Sequence, residues 1–307
     1  MGNNYSLVSI NSNEEIIPHL TQYSNHNDSY LLSPNYFLLT GRKGLLAMVN
    51  GRNSIIFSDH PNLSNETIIF PPVNSEQASM LNTLLSCNSF PIKKKIRIIR
   101  CGQPESQLIN SHVDEKFKLK NVGEYLLDWK YPSVWISVKN VISKKGKKFR
   151  DLRYNINRID TSEIQFYEFN ANQHLDDARD LVNKWSRRNV SSLFNEYNLS
   201  APYNYLLNNL LIENNLLGYV LYYKKKFVSF NILDKPKAKD NELASLLFLA
   251  DIDAQGIPSY MRYKVCKYVK SIGIEYIHIG GSETLGLYSF KKKFVPYKEL
   301  SLFSVVN

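Results

Sequence analysis

Two carboxylates stand where an apolar run of the sequence ends and a helix is expected to begin. The run 243–250 predicts a buried strand, and Asp251 and Asp253 follow it directly, shortly before Pro258. Proline is favoured in the first turn of a helix, so a strand-to-helix turn is expected here. Carboxylates at such a turn can accept a proton or bind an ammonium group, or they can cap the helix. Asp251 and Asp253 are therefore candidate catalytic residues.

A third candidate acid lies in a second strand-to-helix turn, nearer the C-terminus. Glu283 follows Gly280, Gly281 and Ser282, directly after an expected strand at 276–279. Turns that a rigid scaffold holds often carry functional residues, so Glu283 is a candidate proton acceptor. The alternative is that Glu283 is an acid placed at a helix N-terminus, where the helix dipole favours it.

Basic and polar residues near these acids are candidates for holding the donor of a transferred group. Lys291 and Lys293 could neutralise a departing oxygen or a phosphate, and Arg262 on the expected helix could contact a phosphate. Each of these three is also readable as an ordinary solvated charge. The candidate donor-binding residues are Gln255, Gly256, Arg262, Gly280, Gly281, Ser282, Lys291 and Lys293.

Basic charge is concentrated in the segment 139–158. Eight Lys and Arg residues against the single acid Asp151 give it +7, most of the formal net charge of +10. Phe149, Leu152 and Ile156 recur at helical spacing and predict a helix with one apolar face. Phosphate binding needs only Lys and Arg, whereas the alternative is a solvated helix face. The candidate residues for binding a polyphosphate partner, such as a nucleic acid, are Lys144, Lys145, Lys147, Lys148, Arg150, Arg153 and Arg158.

The bulk composition fits a folded protein of two domains. The chain has 307 residues, 12% of them aromatic, and a length of about 100–200 residues per domain is usual. Its three cysteines lack metal-ligand or disulfide spacing, so we expect no metal site and a reducing, cytoplasmic compartment. No apolar stretch approaches the length of a membrane span. The glycine patterns of serine hydrolases, P-loop enzymes and dehydrogenases are absent.

The elements expected around these residues form two mixed α/β halves. In the first half, short apolar runs predict strands at 30–32, 36–39, 44–49, 54–57, 67–70, 96–99, 124–127 and 134–138, with a helix at 74–87. In the second half, the expected order is strand, two helices, three strands, helix, strand, helix and a last strand at 300–306. We expect an N-terminal domain at 1–143, a basic linker helix at 144–162 and a C-terminal domain at 163–307.

Several local sequences resemble those of a known family. The stretch 146–158 (GKKFRDLRYNINR) resembles the basic helix in the catalytic domain of phosphatidylglycerol lysyltransferases. The stretches 280–284 (GGSET) and 290–294 (FKKKF) resemble the closing motif of that family and of Fem-type peptidyl transferases. The stretches 60–62 (HPN) and 70–72 (FPP) are similar to its first half. The order of the second-half elements is also that of a GNAT-superfamily acyltransferase.

This resemblance implies an α/β fold of two GNAT-like domains with mixed sheets, arranged in tandem and joined by the basic helix. It implies transfer of an aminoacyl group from aminoacyl-tRNA, as co-substrate, to an amine or hydroxyl, with the chemistry in the C-terminal half and no resident cofactor. The family's membrane-embedded segment has no counterpart in this sequence. A peptide, a metabolite or another small-molecule acceptor is therefore as well matched as a lipid.

Two other functions stay open at the level of the sequence. CoA-dependent GNAT enzymes hold the pyrophosphate of CoA on a glycine-rich loop at a helix N-terminus, but the turn 251–259 has one glycine and two acids. Carboxylates repel a pyrophosphate, which favours an aminoacyl donor over acyl-CoA. The second alternative is a non-catalytic RNA-binding relative whose acyltransferase site has decayed.

Overall fold

The chain divides into two compact units. The computed structural model describes residues 5–87, 90–117, 119–122, 130–188, 200–211, 216–237, 239–251 and 253–307. The first unit comprises Met1–Ser133, Gly281–Glu283 and Leu300–Asn307, and the second comprises Val134–Gly280 and Thr284–Glu299. This division differs from the expected one, because the first boundary comes before the basic segment and the C-terminal residues return to the first unit. The strand expected at 124–127 lies outside the described residues.

The strands of the described residues are numbered in chain order. They are β1 (Ser6–Ile10), β2 (Leu45–Asn50), β3 (Asn53–Asp59), β4 (Glu66–Ile69), β5 (Lys95–Cys101), β6 (Lys120–Val122), β7 (Ser133–Ser137), β8 (Ile164–Glu168), β9 (Leu217–Tyr223), β10 (Lys226–Asp234), β11 (Glu242–Ala250), β12 (Tyr276–His278), β13 (Lys298–Leu300) and β14 (Phe303–Val306).

The helices are numbered in the same way. They are α1 (Asn13–Leu20), α2 (Pro34–Thr40), α3 (Ser75–Ser86), α4 (Gln103–His112), α5 (Val138–Ser143), α6 (Arg150–Asn157), α7 (Ala171–Arg188), α8 (Ala201–Tyr205), α9 (Ile257–Ser271) and α10 (Leu285–Lys292). Short 3₁₀ turns and a π-helical turn (Leu206–Leu210) accompany them. Within the described ranges, none of these helices is long and apolar enough to cross a bilayer.

Each unit is built on one mixed sheet. The strands of the two sheets are not separated in sequence, because β7 belongs to the second sheet and β14 belongs to the first. The first sheet has the order β1-β2-β3-β4-β5-β14-β6, and the second has the order β13-β7-β12-β11-β10-β9-β8. The strand expected at 134–138 thus belongs to the second sheet as β7. The single last strand expected at 300–306 is two strands, of which β14 pairs with β5 in the first sheet.

Two expected strands in the first half are helical. Residues 30–32 lie in a 3₁₀ turn, and residues 36–39 lie in α2. The hydroxyl of Ser33 accepts a hydrogen bond from the backbone N–H of Tyr36 at 3.0 Å, and Pro34 occupies the first helical turn. A serine cap followed by proline is a helix-start signal, and here it outweighs the strand character of the apolar run.

Most of the remaining local expectations are confirmed. The hairpin expected around Gly51 is β2–β3, with Gly51 at a φ of 59°. The expected order of the second half is found from β8 through α10. The apolar face of the basic helix is also confirmed, because Leu152 and Ile156 are buried in one core with Met261 and Val265 of α9.

His60 fastens the turn between β3 and β4. Its Nδ1 atom accepts hydrogen bonds from the backbone N–H groups of Asn62 and Leu63, both at 3.0 Å. The side chain is 3% exposed. Burial, the largest cause, lowers the pKa of His60 from 6.5 to about 4. The imidazole is therefore neutral in the folded protein at neutral pH.

Acidification is expected to destabilise the fold through His60. The unfolded chain binds a proton on this imidazole below pH 6.5, whereas the folded chain binds it only near pH 4, so stability falls as pH falls through that window. The variant His60→Asn replaces the Nδ1 acceptor with an amide oxygen and removes the titration, so the loss between pH 7 and pH 4 should shrink by about 3 kcal/mol. Urea unfolding between pH 7 and pH 4 measures this. Parallel losses in the two proteins would contradict the assignment.

Candidate functional site

The parallel strands β11 and β12 part towards the carboxyl end of β11, and the gap between them is called the crevice below. The parallel strands β11 and β12 pair only where Glu242–Ala244 meet Tyr276–His278, while β11 continues to Ala250. Crevices beyond the carboxyl ends of parallel strands are the usual ligand sites of α/β sheets. The chain leaves β11 at Asp251, so the first candidate acid lies at the mouth of this crevice.

Asp251 and Asp253 form a charge cluster with the last turn of α7. Lys184 Nζ lies 2.5 Å from Asp251 Oδ2 and 3.6 Å from Asp253 Oδ2. Arg188 lies 2.7 Å from Asp253 and 3.8 Å from Asp251. The side chain of Asp251 is 16% exposed and that of Asp253 is 60% exposed. Two carboxylates and two cations thus neutralise each other at the surface of the crevice.

The pairing changes the chemistry expected of these acids. The hydrogen bond from Arg188 is the main cause that lowers the pKa of the Asp253 carboxyl. A carboxylate of lowered pKa is a weaker base, so the proposed role of Asp253 as a proton acceptor is disfavoured, whereas anchoring an ammonium group is not. Helix capping is not their role either, because Gly256 is the N-cap residue of α9 and no side chain caps this helix.

The N-terminus of α9 offers few backbone donors to an anion. The N–H of Ile257 bonds to the carbonyl of Ala254 at 3.1 Å, and the N–H of Tyr260 bonds to the carbonyl of Gly256 at 2.9 Å. Pro258 has no N–H, and Ser259 is only 2% exposed. A pyrophosphate site depends on such N–H groups pointing at the ligand. In this turn the N–H groups of Ile257 and Tyr260 already donate to carbonyl oxygens, and Ser259 is buried.

Gly256 brings the turn against the basic segment. Its φ is +87°, and a Cβ at this position would lie 2.4 Å from the backbone oxygen of Asn155 and 3.1 Å from Ile159 Cγ1. The neighbouring Gln255 side chain accepts a hydrogen bond from the guanidinium of Arg158. The donor-binding candidate Gln255 therefore contacts the tRNA-binding candidate Arg158, and Gly256 packs against the same segment, although the two stretches are far apart in sequence.

Arg262 does not face a surface phosphate. It is 3% exposed, and its Nη1 atom donates to Asn231 Oδ1 at 2.7 Å and to Ser245 Oγ at 3.2 Å. Its guanidinium also lies over the ring of Phe248, 4.5 Å from the centroid. The expectation that Arg262 contacts a phosphate is corrected, because the side chain ties α9 to β10 and β11 instead.

The glycine-containing turn after β12 is divided between the two units. Gly280, at a φ of 73°, accepts a hydrogen bond from the N–H of Val134 in the second unit. Gly281, Ser282 and Glu283 group with the first unit, where Ser282 pairs with Tyr131.

Glu283 is half-buried and is not the cap of α10. The hydroxyl of Thr284 caps that helix, accepting a hydrogen bond from the N–H of Leu287 at 3.1 Å. In α10, Lys291 is 8% exposed, so it is not the solvated charge that the sequence alternative describes. Lys293, just after α10, is half-buried and lines a groove beside α6.

The basic segment is broken into short elements within the second unit and is not a single linker helix. Lys144, at a φ of 50°, ends α5, and Gly146, at a φ of 88°, starts the next turn. Arg153 donates to the backbone oxygens of Lys144 and Gly146 at 2.5 and 2.8 Å. The expectation that Arg153 faces a ligand is therefore corrected, because its guanidinium closes this break.

The other basic side chains differ in their contacts and in their exposure to solvent. Lys144 Nζ lies 3.8 Å from the centroid of the Tyr263 ring. Lys145, Lys147 and Lys148 are exposed, and Arg150 is 80% exposed. Four cationic side chains of the segment thus remain directed to solvent and available to phosphates.

Several residues of this site carried no sequence signal. Lys184 meets Asp251 across 67 positions of sequence, and a surface helix rich in charge gives no indication of such a partner. Tyr203 donates from its hydroxyl to the carbonyl of Phe248 at 3.4 Å, and its ring lies 5.2 Å from that of Trp185. Tyr203 therefore lies against β11, and Trp185 lies beside Tyr203.

Comparisons with known proteins give the fold but no close relative. No protein-family model matches the chain, and no curated protein matches it. The C-terminal domain of an Agrobacterium fabrum protein described as a lysylphosphatidylglycerol synthetase superposes with a TM-score of 0.62 at 14% identity, covering 96% of this chain and 92% of that chain. FemX superposes with a TM-score of 0.60 at 14% identity, covering 98% and 96%.

A tandem GNAT protein from the clavulanic acid biosynthesis pathway also superposes over nearly the whole length. Its TM-score is 0.55 at 5% identity, and the match covers 99% of this chain and 98% of that chain. At these identities the likeness concerns the fold alone. The chain therefore has the two-domain GNAT-like fold that it shares with FemX and with the C-terminal domain of the lysylphosphatidylglycerol synthetase, as the sequence resemblance predicts.

Proposed function

We propose that this protein is an acyltransferase that moves an aminoacyl group from aminoacyl-tRNA to an amine or hydroxyl of an acceptor. The observation that carries the proposal is the turn between β11 and α9. Its two carboxylates are paired with Lys184 and Arg188, and its helix N-terminus has few N–H groups left for a pyrophosphate. A turn of this kind suits the α-ammonium of an aminoacyl group better than the pyrophosphate of CoA.

Coulomb energies support this choice. Two unit charges 4 Å apart interact by about 4 kcal/mol at the effective dielectric constant of a protein surface. A pyrophosphate beside Asp251 and Asp253 would meet that repulsion from each carboxylate, and it could bind Lys184 and Arg188 only by drawing them away from the two carboxylates that they already neutralise. An α-ammonium can instead replace Lys184 at Asp251, because the lysine is 44% exposed and free to swing into water.

The exposed charges of the basic segment supply the second support. Lys145, Lys147, Lys148 and Arg150 can contact phosphates without reading sequence, which suits a protein that must hold the common part of a tRNA. The contact between Arg158 and Gln255 places this surface beside the turn that carries the acids. The fold likeness to FemX and to a lysylphosphatidylglycerol synthetase agrees with aminoacyl transfer.

The reaction needs three things from the protein. The acceptor amine or hydroxyl must lose a proton, a new bond to the ester carbonyl must form, and the bond to the ribose oxygen must break as that oxygen gains a proton. In our proposal Asp251 and Asp253 hold the α-ammonium of the aminoacyl group. Glu283 is the proposed proton acceptor, and Lys293 is proposed to neutralise the departing ribose or its phosphate.

A competition experiment tests the donor. Labelled charged tRNA is bound to the protein on filters at several salt concentrations, with uncharged tRNA and acetyl-CoA as competitors. We expect charged tRNA to bind more tightly than uncharged tRNA and acetyl-CoA not to compete. Displacement by acetyl-CoA would favour the CoA-dependent enzyme, and equal binding of both tRNAs without turnover would favour a non-catalytic RNA-binding protein.

The variant Asp251→Asn is expected to lower kcat/KM for aminoacyl transfer by about tenfold. The amide keeps the size of the side chain but loses the charge that holds the α-ammonium, and a hydrogen bond to a charged group contributes about 1.5–3 kcal/mol. Initial rates of transfer from charged tRNA measure the effect. Asp240→Asn, at a fully exposed aspartate outside the turn, is the control, and an unchanged rate in Asp251→Asn would remove this role.

A further inference from the structure

A groove beside α6 presents an exposed aromatic ring among cationic side chains. It has a volume of about 600 Å³ and is lined by Arg150, Asp151, Tyr154, Asn155 and Lys293. Tyr154 is 62% exposed, although it is a large ring on a helix whose apolar face is otherwise buried. An exposed ring beside cationic side chains offers a stacking surface for a base next to contacts for phosphates.

The ring of Tyr154 is held from one side. The guanidinium of Arg158 lies over it, 5.3 Å from the ring centroid, in a cation–π arrangement. The same guanidinium bonds to Gln255 in the turn that carries Asp251 and Asp253. Arg158 therefore joins Tyr154 to the turn that carries the candidate acids.

We propose that Tyr154 stacks on an unpaired base at the single-stranded 3′ end of the RNA donor, while Arg150 and Lys293 contact the flanking phosphates. This inference rests on the proposed function, since it assigns part of the donor to this groove. The groove volume lies within the range of about 300–1,000 Å³ in which proteins hold ligands the size of a nucleotide.

The charges of the groove favour a base against Tyr154 and phosphates at its ends. Asp151 lines the same groove, 66% exposed and 3.6 Å from Arg150. A phosphate that binds Arg150 replaces this exposed ion pair, which contributes little, whereas an uncharged base against Tyr154 meets no repulsion from Asp151. Stacking on an aromatic ring accepts every base, which suits an RNA end that is read by position rather than by sequence.

The experiment compares two RNA hairpins with the same duplex, one with an unpaired 3′ tail of a few nucleotides and one with a blunt end. Wild-type protein is expected to bind the tailed hairpin about tenfold more tightly, and Tyr154→Ala should abolish that difference. Tyr154→Phe, which keeps the ring, should retain it. Tyr297→Ala, at a tyrosine that is 61% exposed outside the groove, is the matched control and should retain it too.

Equal affinity of the wild type for both hairpins would overturn the inference, and so would a tail preference that survives Tyr154→Ala. A 2-aminopurine base placed in the tail gives an independent readout, because stacking on Tyr154 should quench its fluorescence in the wild type and not in Tyr154→Ala. A preserved tail preference without any aminoacyl transfer would sink the proposed function while supporting the stacking site. Absence of RNA binding would overturn both.

Discussion

Replacing Lys145, Lys147 and Lys148 together with alanine is expected to lower RNA affinity about 100-fold at 0.1 M salt and to flatten its salt dependence. Each cation that contacts a phosphate of a duplex adds about 0.9 to the slope of log K against log salt. Three lost contacts should therefore reduce the slope by about 2.7. Filter binding of a tRNA between 50 and 300 mM salt measures both quantities.

The hairpin turn of β9–β10 supplies a matched control. Lys224, Lys225 and Lys226 are also three consecutive exposed lysines, so their replacement with alanine removes the same charge from another surface. This control should change the slope little. A similar loss in both triple variants would show that net charge alone, rather than the basic segment, governs RNA binding.

A charge count predicts that the segment 139–158 is basic, but it does not predict what each cation contacts. The apolar stripe through Leu152 and Ile156 was predicted correctly, because helical periodicity indicates burial on one face. The sequence could not separate the roles of the cations. Arg153 bonds to backbone oxygens of its own segment, and that depends on the positive φ of Lys144 and Gly146, which charge patterns do not encode.

The sequence also does not predict which of the two sheets a strand joins. The apolar runs around Trp135 and Val305 predict strands correctly, since both are buried. Which sheet each strand joins depends on pairing with residues far away in sequence, such as Trp135 with His278 and Val305 with Ile98. Alternation within one strand carries no information about its neighbour, so the exchange of strands between the halves could not be foreseen.

For Asp251 and Asp253, too, the sequence predicts the local position but not the long-range contacts. The position of Asp251 after a buried strand could be predicted, because β11 is a continuous apolar run and a proline marks the first turn of α9. The ion pair between Asp251 and Lys184 could not be predicted, since only the packing of α7 brings these two charges together. Sequence reasoning therefore predicts where these acids lie along the chain but not the cations that pair with them.

The variant Gly256→Ala is expected to lower the free energy of unfolding by about 4 kcal/mol. A left-handed conformation costs a residue with a Cβ about 1–2 kcal/mol, and forcing an atom into a packed position costs about 1–3 kcal/mol more. The new Cβ would lie 2.4 Å from the backbone oxygen of Asn155, and a backbone atom cannot move aside as a flexible side chain can. Urea unfolding measures the loss.

Gly273→Ala separates the two costs. Gly273 has a φ of +84°, against +87° for Gly256, but a Cβ there meets nothing within 4 Å. It should therefore lose only the conformational part, about 1–2 kcal/mol, and the difference between the variants reports the close approach of the turn to α6. If that approach also aligns the acids with the RNA surface, Gly256→Ala should lose transfer activity at temperatures where it is still folded, whereas Gly273→Ala should keep it. Equal stabilities in the two variants would mean that the turn and α6 are not packed as tightly as the Asn155 contact requires.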